Sequence, residues 1–433
     1  MKTVIMAGGR GTRICSVASD IPKPLLPIGG RPVLEHEIAC LRDEGFTDVI
    51  LTVSHLADQI MNYFGDGRKL GVKIDYFVEE QLLGNAGALF KLALEEDFLL
   101  LNGDVVFNVD FNRFVQYHKV KGGLVTLFTH PSSHPYDSGV IVADENAAVV
   151  DWLTKERARP QWYANRVNAG LHVINPAVLA MTGIAPEAVG MEKDGQTIKV
   201  DLDRQVLRPL CETGRMFCYD SPEYVRDMGT PDRYQSVCRD FVSGCVQAKN
   251  LKNRQKALFL DRDGTINKYV GFLRNIDQFE LLPGVVEAIK KINASGFLAI
   301  VTTNQPVIAR GELSFSGLQE IHNKLETLLG TNGAYLDASY YCPHHPHKGY
   351  AGEVPDLKID CECRKPKPGM LLNAAERFNI DLAASWMVGD DENDVKAGKA
   401  AGCKTALIGT GDFGQDRTVG SLLDFVNFML SEN

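Results

Sequence analysis

The sequence lacks the features of membrane proteins and of nucleic-acid-binding proteins. None of its apolar runs reaches the roughly 18 residues that a membrane-spanning helix needs. The apolar part of the amino-terminal stretch is too short for a signal peptide. Basic residues are in the minority, with 46 Lys and Arg against 55 Asp and Glu, and the net charge of −9 argues against broad nucleic-acid binding. We therefore expect a cytoplasmic protein whose partners include neither a membrane nor a nucleic acid.

Cysteines are scattered over most of the chain. Of the ten, seven lie apart from one another, which in a reducing compartment favours buried thiols over disulfides. The other three, Cys342, Cys361 and Cys363, are grouped beside histidines and need a different explanation.

The chain of 433 residues is too long for one ordinary hydrophobic core, so two or three domains are expected. A polar, basic stretch predicts a solvated linker at 247–256 between domains at 1–246 and 257–433. Both parts alternate strand and helix patterns, which is typical of α/β domains. The patterns in the first part predict a helix ending near Gly45, strands at 48–53 and 72–78, and a helix at 56–64. In the second part they predict helices at 285–292 and 371–378 and strands at 257–260, 297–301 and 386–390.

A glycine-rich segment, Gly8-Gly-Arg-Gly-Thr-Arg13, follows the first apolar strand. Glycine has no Cβ, so such a loop brings backbone N–H groups close to phosphates, although a tight strand-to-helix turn has the same pattern. It is not a Walker A loop, because no Gly-Lys-Ser or Gly-Lys-Thr follows. Lys23 lies between two prolines, and a stiffened backbone suits a fixed phosphate contact. Asp104 ends an apolar strand and could bind a metal, but an isolated aspartate there more often forms a turn or caps a helix.

Six motifs across residues 1–245 together resemble the sugar-1-phosphate nucleotidylyltransferases. They are Gly8-Gly-x-Gly-Thr-Arg13, Pro22-Lys-Pro24, Leu83-Gly-Asn-Ala-Gly87, Asn102-Gly-Asp104, Asn168-Ala-Gly170 and Asp227-Met-Gly-Thr-Pro231. The resemblance implies a Rossmann-like nucleotidyltransferase fold, Mg²⁺ bound by Asp104 and Asp227, and a triphosphate bound by Arg13 and Lys23. It also implies a nucleotide bordered by Gly8, Gly9, Gly11, Gly84 and Gly87, and a sugar bordered by Gly139, Asn168 and Gly170.

The nucleotide base is suggested by a narrower resemblance. Gly11-Thr-Arg-Ile14 followed by small residues resembles the heptose-1-phosphate guanylyltransferase branch, which implies GTP. Many members of the wider family carry arginine and proline where this chain has Ile14-Cys-Ser16. In such a reaction a sugar phosphate oxygen attacks the α-phosphorus of a nucleoside triphosphate. Two anions must approach each other, so the site needs a metal and cations rather than a strong base.

Three predicted strand ends in the second half carry polar residues. Asp261 and Asp263 follow one strand, Thr303 follows the next, and Asp390 with Asp391 follows a third. The carboxyl ends of parallel strands share one edge of a sheet, where open α/β folds bind their ligands. Neighbouring acids are costly unless a cation neutralises them. The pattern predicts phosphoryl transfer that depends on a divalent metal.

The cysteine-histidine group has the composition of a metal site. Cys342, His344, Cys361 and Cys363 form a Cys₃His set, which favours a closed structural zinc site over unligated core thiols. His345 and His347 are spare donors that we expect to be exposed. Lys365 follows Cys363 by two residues, so zinc would fix that lysine in place.

The strand-end residues resemble the haloacid dehalogenase superfamily of phosphatases across about 256–430. The resemblance implies a Rossmannoid fold without a large cap. It implies Asp261 as the nucleophile and Asp263 as the general acid and then the general base. Arg262 would lie between them without a role of its own.

The same resemblance implies the ligands. Mg²⁺ would be bound by Asp261, Asp390 and the carbonyl of Asp263, while Thr303 and Lys365 would hold the phosphoryl oxygens. Asp391 and Asp394 are further acids that could reach the metal. Asn304, Arg310 and Arg364 are the candidates for binding the substrate.

Leu260-Asp-Arg-Asp-Gly-Thr265, Cys342-Pro-His-His345 and Cys361-x-Cys-Arg-Lys-Pro366 together resemble the heptose bisphosphate phosphatases, and histidinol-phosphate phosphatases share much of this pattern. Pro306-Val307 departs from the serine and glycine usual after the glutamine. We interpret the chain as a bifunctional enzyme acting on heptose 1,7-bisphosphate, heptose 1-phosphate and GTP. The alternatives are a hexose-1-phosphate nucleotidylyltransferase fused to another phosphatase, and a non-catalytic sensor of nucleotide sugars. The oligomeric state stays open.

Overall fold

The computed structural model describes residues 1–9, 20–193 and 196–432. The chain divides into two compact units. Unit 1 comprises Met1–His130, Ile141–Leu153 and Asn168–Asn250, and unit 2 comprises Pro131–Val140, Thr154–Val167 and Leu251–Asn433. No helix within the described ranges is both long enough and apolar enough to cross a lipid bilayer.

Within the described residues, the first half of the chain forms a nine-stranded sheet, three two-stranded sheets and the helices around them. Its strands are β1 Thr3–Met6, β2 Pro27–Ile28, β3 Arg31–Pro32, β4 Asp48–Val53, β5 Lys73–Val78, β6 Phe98–Asn102, β7 Val105–Asn108, β8 Val125–His130, β9 Val140–Ala143, β10 Val149–Leu153, β11 Val167–Ile174, β12 Glu192–Lys193, β13 Gln196–Thr197, β14 Met216–Asp220 and β15 Tyr224–Asp227. Its helices are α1 Val33–Asp43, α2 Ala57–Phe64, α3 Phe111–Lys121, α4 Ala177–Met181, α5 Pro231–Val242 and α6 Cys245–Ala248.

The order of the strands places a ligand site after β1. The nine-stranded sheet runs β10-β9-β11-β6-β1-β4-β5, with β8 against β11 and β14 against β8. Strand β1 is parallel to both β4 and β6, and the chain leaves it toward β4 on one side and returns to β6 on the other. Such a reversal opens a crevice at the carboxyl ends of the strands. Because the central strands are covered on both faces, they are mainly apolar, as Val4, Ile5, Leu99 and Leu100 illustrate.

The second half builds a smaller parallel sheet. Its strands are β16 Lys256–Leu260, β17 Phe297–Asn304, β18 Ala338–Cys342, β19 Trp386–Gly389, β20 Lys404–Ile408 and β21 Arg417–Val419. Its helices are α7 Val285–Asn293, α8 Pro306–Ala309, α9 Phe315–Thr331, α10 Gly369–Phe378, α11 Glu392–Ala401 and α12 Leu422–Ser431. The six strands run β18-β17-β16-β19-β20-β21, so the strand order reverses at β16. Asp261 comes directly after that strand, as the sequence predicts.

The predicted linker at 247–256 contains both exposed and buried residues. Six of its ten residues are exposed, while Lys249, Asn250, Leu251 and Gln255 are buried. The bounds of the linker stay a prediction, and the burial of Gln255 follows from a tertiary partner that composition cannot show. Gln255 N–H donates to the carbonyl of Asn379, and the Asn379 amide donates to the carbonyl of Leu251, each over 2.9 Å.

Unit 2 also contains two connections between strands of the first half, at 131–140 and 154–167. The Thr327 hydroxyl on α9 donates to the Tyr163 carbonyl and accepts from the Tyr163 N–H, both over 2.9 Å. Glu326 accepts a hydrogen bond from Asn165 N–H at 2.5 Å. Pro135 lies so close to Gly330 that a Cβ there would approach its Cγ to 2.7 Å. These segments are therefore packed parts of unit 2.

Candidate functional sites

The first site is a cleft of about 550 Å³ at the carboxyl ends of β1 and β6. Five of the residues singled out in the sequence line it, namely Gly8, Gly9, Lys23, Gly84 and Asp104. Gly11 and Arg13 lie outside the described residues. The cleft has the size of a small-molecule site, and its glycines leave backbone groups accessible to a ligand.

Lys23 and Asp104 form an ion pair in this cleft. Lys23 Nζ lies 2.5 Å from Asp104 Oδ2, and the lysine side chain is only 9% exposed. Asp104 follows β6 in the turn to β7, while Lys23 begins a short 3₁₀ turn that is held between Pro22 and Pro24. A fixed cation and a carboxylate therefore meet where a phosphate and its metal would bind.

The antiparallel pairing of β7 with β15 brings Asp227 close to Asp104. It lies opposite Val105, and the N–H of the next residue, Met228, donates to the Asp104 carbonyl over 3.1 Å. Burial alone would raise the pKa of Asp227, but the Gly229 N–H and the Arg233 guanidinium, at 2.8 and 3.0 Å, hold it below its ordinary value. Asp227 is therefore an ionised carboxylate that could bind a metal beside Asp104.

Two of the residues expected around the sugar, Asn168 and Gly170, lie on β11. Gly170 has a φ of 76°, and a Cβ there would overlap the Asn102 side chain, so only glycine fits. Asn168 Oδ1 accepts from Gly170 N–H at 3.2 Å and from His172 Nε2 at 3.1 Å. Gly87, which is expected to border the nucleotide, is buried against Leu83. Gly139 lies in the 131–140 segment of unit 2.

The second site is a cavity of about 430 Å³ at the carboxyl edge of the smaller sheet. Strands β16, β17 and β19 deliver Asp261, Thr303 and Asp390, and the loop after the cysteine pair delivers Lys365. This agrees with the convergence that the sequence predicts.

Lys365 is the charge at the centre of this cavity. Its Nζ donates to Asp261 Oδ1 at 2.6 Å, to Asp394 Oδ1 at 2.5 Å and to the Thr302 carbonyl at 2.7 Å. Burial alone would lower the pKa of Lys365, but the two carboxylates raise it above its ordinary value. The lysine therefore stays charged, and it faces the predicted nucleophile.

Three carboxylates gather beside this lysine. Ligand oxygens of Asp261, Asp390 and Asp394 all lie within 4.8 Å of one another. Burial, followed by the nearby charge of Asp261, raises the pKa of Asp390 to about 7. Three carboxylates this close to one another repel unless a cation lies between them, and a divalent cation prefers carboxylate oxygens as ligands. A Cβ on Gly264, whose φ is 94°, would overlap Asp390, so glycine is required for this approach.

The structure distinguishes Asp391 from Asp394, the two acids that could reach the metal according to the sequence. Asp391 caps α11, where its Oδ1 accepts from Asn393 N–H at 2.9 Å. Asp394, three residues later, turns back into the buried cluster.

Asp263 is surrounded by hydrogen-bond donors. Arg262 Nη2 lies 2.8 and 2.9 Å from its two oxygens, and Asn267 and Gln305 donate over 3.0 and 2.8 Å. Burial alone would raise the pKa of Asp263, but Arg262 and these amides hold it below its ordinary value. The expectation that Arg262 has no role of its own is wrong, because this fully buried side chain holds the carboxylate of Asp263.

The four cysteine and histidine donors form a compact set, with their ligand atoms within 4.8 Å of one another. The Sγ–Sγ distances among Cys342, Cys361 and Cys363 are 3.2, 3.3 and 3.4 Å, and His344 Nδ1 lies 3.3 and 3.7 Å from two of the sulfurs. Disulfide sulfurs would be about 2.05 Å apart. A tetrahedral zinc with bonds of about 2.3 Å separates its ligands by about 3.7 Å, so these residues fit the ion. His347 is exposed as expected, whereas His345 is buried, which corrects that expectation.

Three residues lie around the remainder of the cavity. Asn304 lines it, and its carboxamide accepts from Lys365 N–H and donates to the Lys365 carbonyl, each over 3.0 Å, so it holds the lysine backbone. Arg364 lines the cavity, and Arg310 stacks on the rings of Phe272 and Tyr350 at 4.0 and 4.5 Å. Burial lowers the pKa of Arg364, and the nearby charge of Arg310 also lowers it.

Comparison with known proteins identifies both halves. The family model for nucleotidyl transferases matches residues 2–242, and that for HAD-hydrolase-like proteins matches 362–422. The chain is 46% identical over 159 residues to a D-glycero-beta-D-manno-heptose-1,7-bisphosphate 7-phosphatase of Pasteurella multocida, which covers 36% of this chain and 83% of that protein. The chain belongs to the nucleotidyl transferase family, and its second half to the family of these phosphatases.

Two further proteins have similar sequences or structures. A D-glycero-alpha-D-manno-heptose-1,7-bisphosphate 7-phosphatase of Burkholderia mallei is 42% identical over 36% of this chain and 80% of its own length. The crystal structure of HddC from Yersinia pseudotuberculosis is 25% identical and covers 55% of this chain and 99% of its own, with a TM-score of 0.45.

Sequence reasoning missed several residues of the nucleotidyltransferase and phosphatase sites. Arg233, at the start of α5, forms an ion pair with Asp227. The only indication of this pair in the sequence is that Arg233 follows the aspartate by six residues. His322, on α9, accepts a hydrogen bond from Arg262 over 3.2 Å although 60 residues separate them. Burial, with the adjacent Arg262 charge, lowers the pKa of His322 to about 3, so the ring is neutral. Nothing in the local sequence indicates that contact.

Proposed function

We propose that this enzyme catalyses two consecutive steps of nucleotide-activated heptose synthesis. The phosphatase half removes the 7-phosphate of D-glycero-D-manno-heptose 1,7-bisphosphate. The nucleotidyltransferase half then transfers GMP from GTP to heptose 1-phosphate, giving GDP-heptose and pyrophosphate. The observation that carries the proposal is the presence in one chain of both sites, because the product of one reaction is the acceptor in the other.

The phosphatase site supports attack by Asp261. Its carboxylate forms a bond to phosphorus while the ester oxygen leaves and takes a proton from Asp263. The Asp263 carboxylate is ionised without substrate, so it has to take up this proton when the negative charge of the phosphate arrives beside it. Asp263 then takes a proton from water, whose oxygen attacks the same phosphorus, frees Asp261 and yields inorganic phosphate. Lys365, 2.6 Å from Asp261, is placed to hold phosphoryl oxygens together with Thr303. Mg²⁺ held by Asp261, Asp390 and the Asp263 carbonyl, with Asp394 adjacent, would neutralise their negative charge.

The choice of phosphate must come from the pocket. The anomeric phosphate has the less basic leaving group, yet it has to survive as the nucleophile of the second reaction. Arg364 at the cavity wall and Arg310 nearby are two cations of the kind that bind a second phosphate. Arg364→Ala should therefore raise the KM for the bisphosphate more than the KM for a simple phosphate ester.

The nucleotidyltransferase cleft supports the second reaction. A phosphate oxygen of heptose 1-phosphate forms a bond to the α-phosphorus of GTP, and pyrophosphate leaves. Lys23 is placed to offset the developing charge, Asp104 and Asp227 are the expected Mg²⁺ ligands, and Gly8 and Gly9 offer backbone N–H groups. Arg13 would add a cation. Guanine as the base is supported by the resemblance of the glycine-rich segment.

Zinc in the Cys₃His set would be structural. All four positions would be taken by protein, which leaves none for a substrate. Because Lys365 follows Cys363 by two residues, the ion would also fix the loop that carries this lysine.

Phosphorus NMR of the phosphatase reaction without GTP tests the assignment. We expect the signal of the primary ester to disappear first and heptose 1-phosphate to accumulate. Early formation of heptose 7-phosphate would contradict the proposal. A panel of hexose 1-phosphates and histidinol phosphate, and an assay for pyrophosphate release, would detect the alternative enzymes and a sensor without activity.

A further inference from the structure

The positively charged side chain of Arg262 is buried away from water. It is fully buried, and it is the largest such side chain in the described part of the protein. Moving a cation away from water is costly unless it is paired and its N–H groups are hydrogen-bonded. Its Nε and Nη2 donate to the carboxylate of Asp263 at 2.8–3.2 Å, and its Nη1 donates to His322 Nε2 at 3.2 Å.

His322 fixes the plane of this guanidinium. The imidazole is itself buried on α9 and lies against the ring of Tyr341, with centroids 5.8 Å apart. Arginine can only donate, so Nε2 of His322 accepts and its proton is on Nδ1. Because Nη1 is hydrogen-bonded to His322 on α9, the edge of the guanidinium formed by Nε and Nη2 faces Asp263.

We propose that Arg262, oriented by His322, is a positioning residue for proton transfer by Asp263. This inference rests on the phosphatase function proposed above. Asp263 must present one oxygen to the leaving ester oxygen in the first step and to water in the second. Arg262, held by His322, donates to both oxygens of this carboxylate, which limits its rotation.

The proposal predicts an effect that depends on the leaving group. An alkyl phosphate needs a proton on its leaving oxygen, whereas p-nitrophenyl phosphate releases a stable anion and needs little help. His322→Leu removes the acceptor, and misplacing a catalytic group by about 1 Å can cost about 100-fold in rate. We therefore expect kcat for an alkyl phosphate to fall about 100-fold and kcat for p-nitrophenyl phosphate to change less than about threefold, with both KM values retained.

The decisive experiment compares His322→Leu and His322→Gln in the full-length enzyme on both substrates. Glutamine offers an acceptor oxygen to Arg262 and should restore most of the alkyl phosphatase activity. Thermal unfolding and zinc content report on folding. Equal losses on both substrates, no loss on either, or no rescue by glutamine would overturn the proposal. If the wild-type enzyme cleaved simple alkyl phosphates but not the heptose bisphosphate, the substrate assignment alone would fail.

Discussion

Replacing Lys365 by methionine tests the electrostatic core of the phosphatase site. The ammonium group lies 2.6 Å from Asp261 and 2.5 Å from Asp394, and none of the three side chains is more than 10% exposed. Methionine keeps the length of the side chain but removes its charge, so two buried carboxylates face each other. Removing one partner of a buried ion pair costs about 3–5 kcal/mol. We expect a loss of that size in the free energy of unfolding of unit 2 when divalent cations are absent.

Mg²⁺ should offset part of this loss, because the carboxylates of Asp261, Asp390 and Asp394 then share a cation. The phosphatase kcat should fall about 10²–10³-fold, since a preorganised donor to the phosphoryl oxygens is missing. Nucleotidyl transfer should persist. Thermal unfolding with and without Mg²⁺, together with assays of phosphate and pyrophosphate release, measures all three effects.

Lys367→Met is the matched control. This lysine is 35% exposed and pairs with Asp360 and Glu362 at the surface, where water screens the charges, so its loss should leave the free energy of unfolding nearly unchanged. If Lys365→Met kept wild-type stability and phosphate release, Lys365 would not be the charge that holds this site together.

Other predictions concern the remaining groups. Lys23→Ala or Asp104→Asn should abolish pyrophosphate release and leave phosphate release intact; loss of both activities in folded protein would contradict separate sites. Elemental analysis should find about one zinc per chain, and Cys361→Ser should lower both zinc content and the thermal stability of unit 2; protein purified without chelators that contains no zinc would refute the assignment. Burial lowers the pKa of His172 to about 4. The unfolded chain therefore binds the proton more readily, and stability should fall by up to about 1.4 kcal/mol per pH unit as pH drops from about 6.5 to 4. His172→Gln should flatten that slope in thermal unfolding, and an unchanged slope would exclude His172 as its source.

The sequence predicted those features that local pattern determines. The strand at 48–53 has the predicted bounds because its apolar run is buried on both faces of the sheet. Gly8 and Gly9 line a cleft, Asp261 lines a cavity and the cysteine-histidine donors lie together, as their residue types predict. Strand β17 continues to Asn304, beyond the predicted 301, because its polar end is still paired with β18.

The features that the sequence missed depend on tertiary contacts. Gln255 is buried because Asn379 is its partner, and no property of the polar stretch indicates that. Asp391 and Asp394 lie three residues apart in the sequence, and only the start of α11 decides which one caps the helix. The contact from Arg262 to His322 spans 60 residues and follows from the packing of α9.

The central claim is that two sites act in sequence on one sugar. The most direct test gives the enzyme heptose 1,7-bisphosphate, GTP and Mg²⁺ together and follows all phosphorus signals over time. We predict heptose 1-phosphate as a transient, followed by GDP-heptose and pyrophosphate. Asp261→Asn should form GDP-heptose from heptose 1-phosphate but not from the bisphosphate. The account would be contradicted if Asp261→Asn formed nucleotide heptose from the bisphosphate. It would also be contradicted if the wild-type enzyme formed no nucleotide heptose from either sugar.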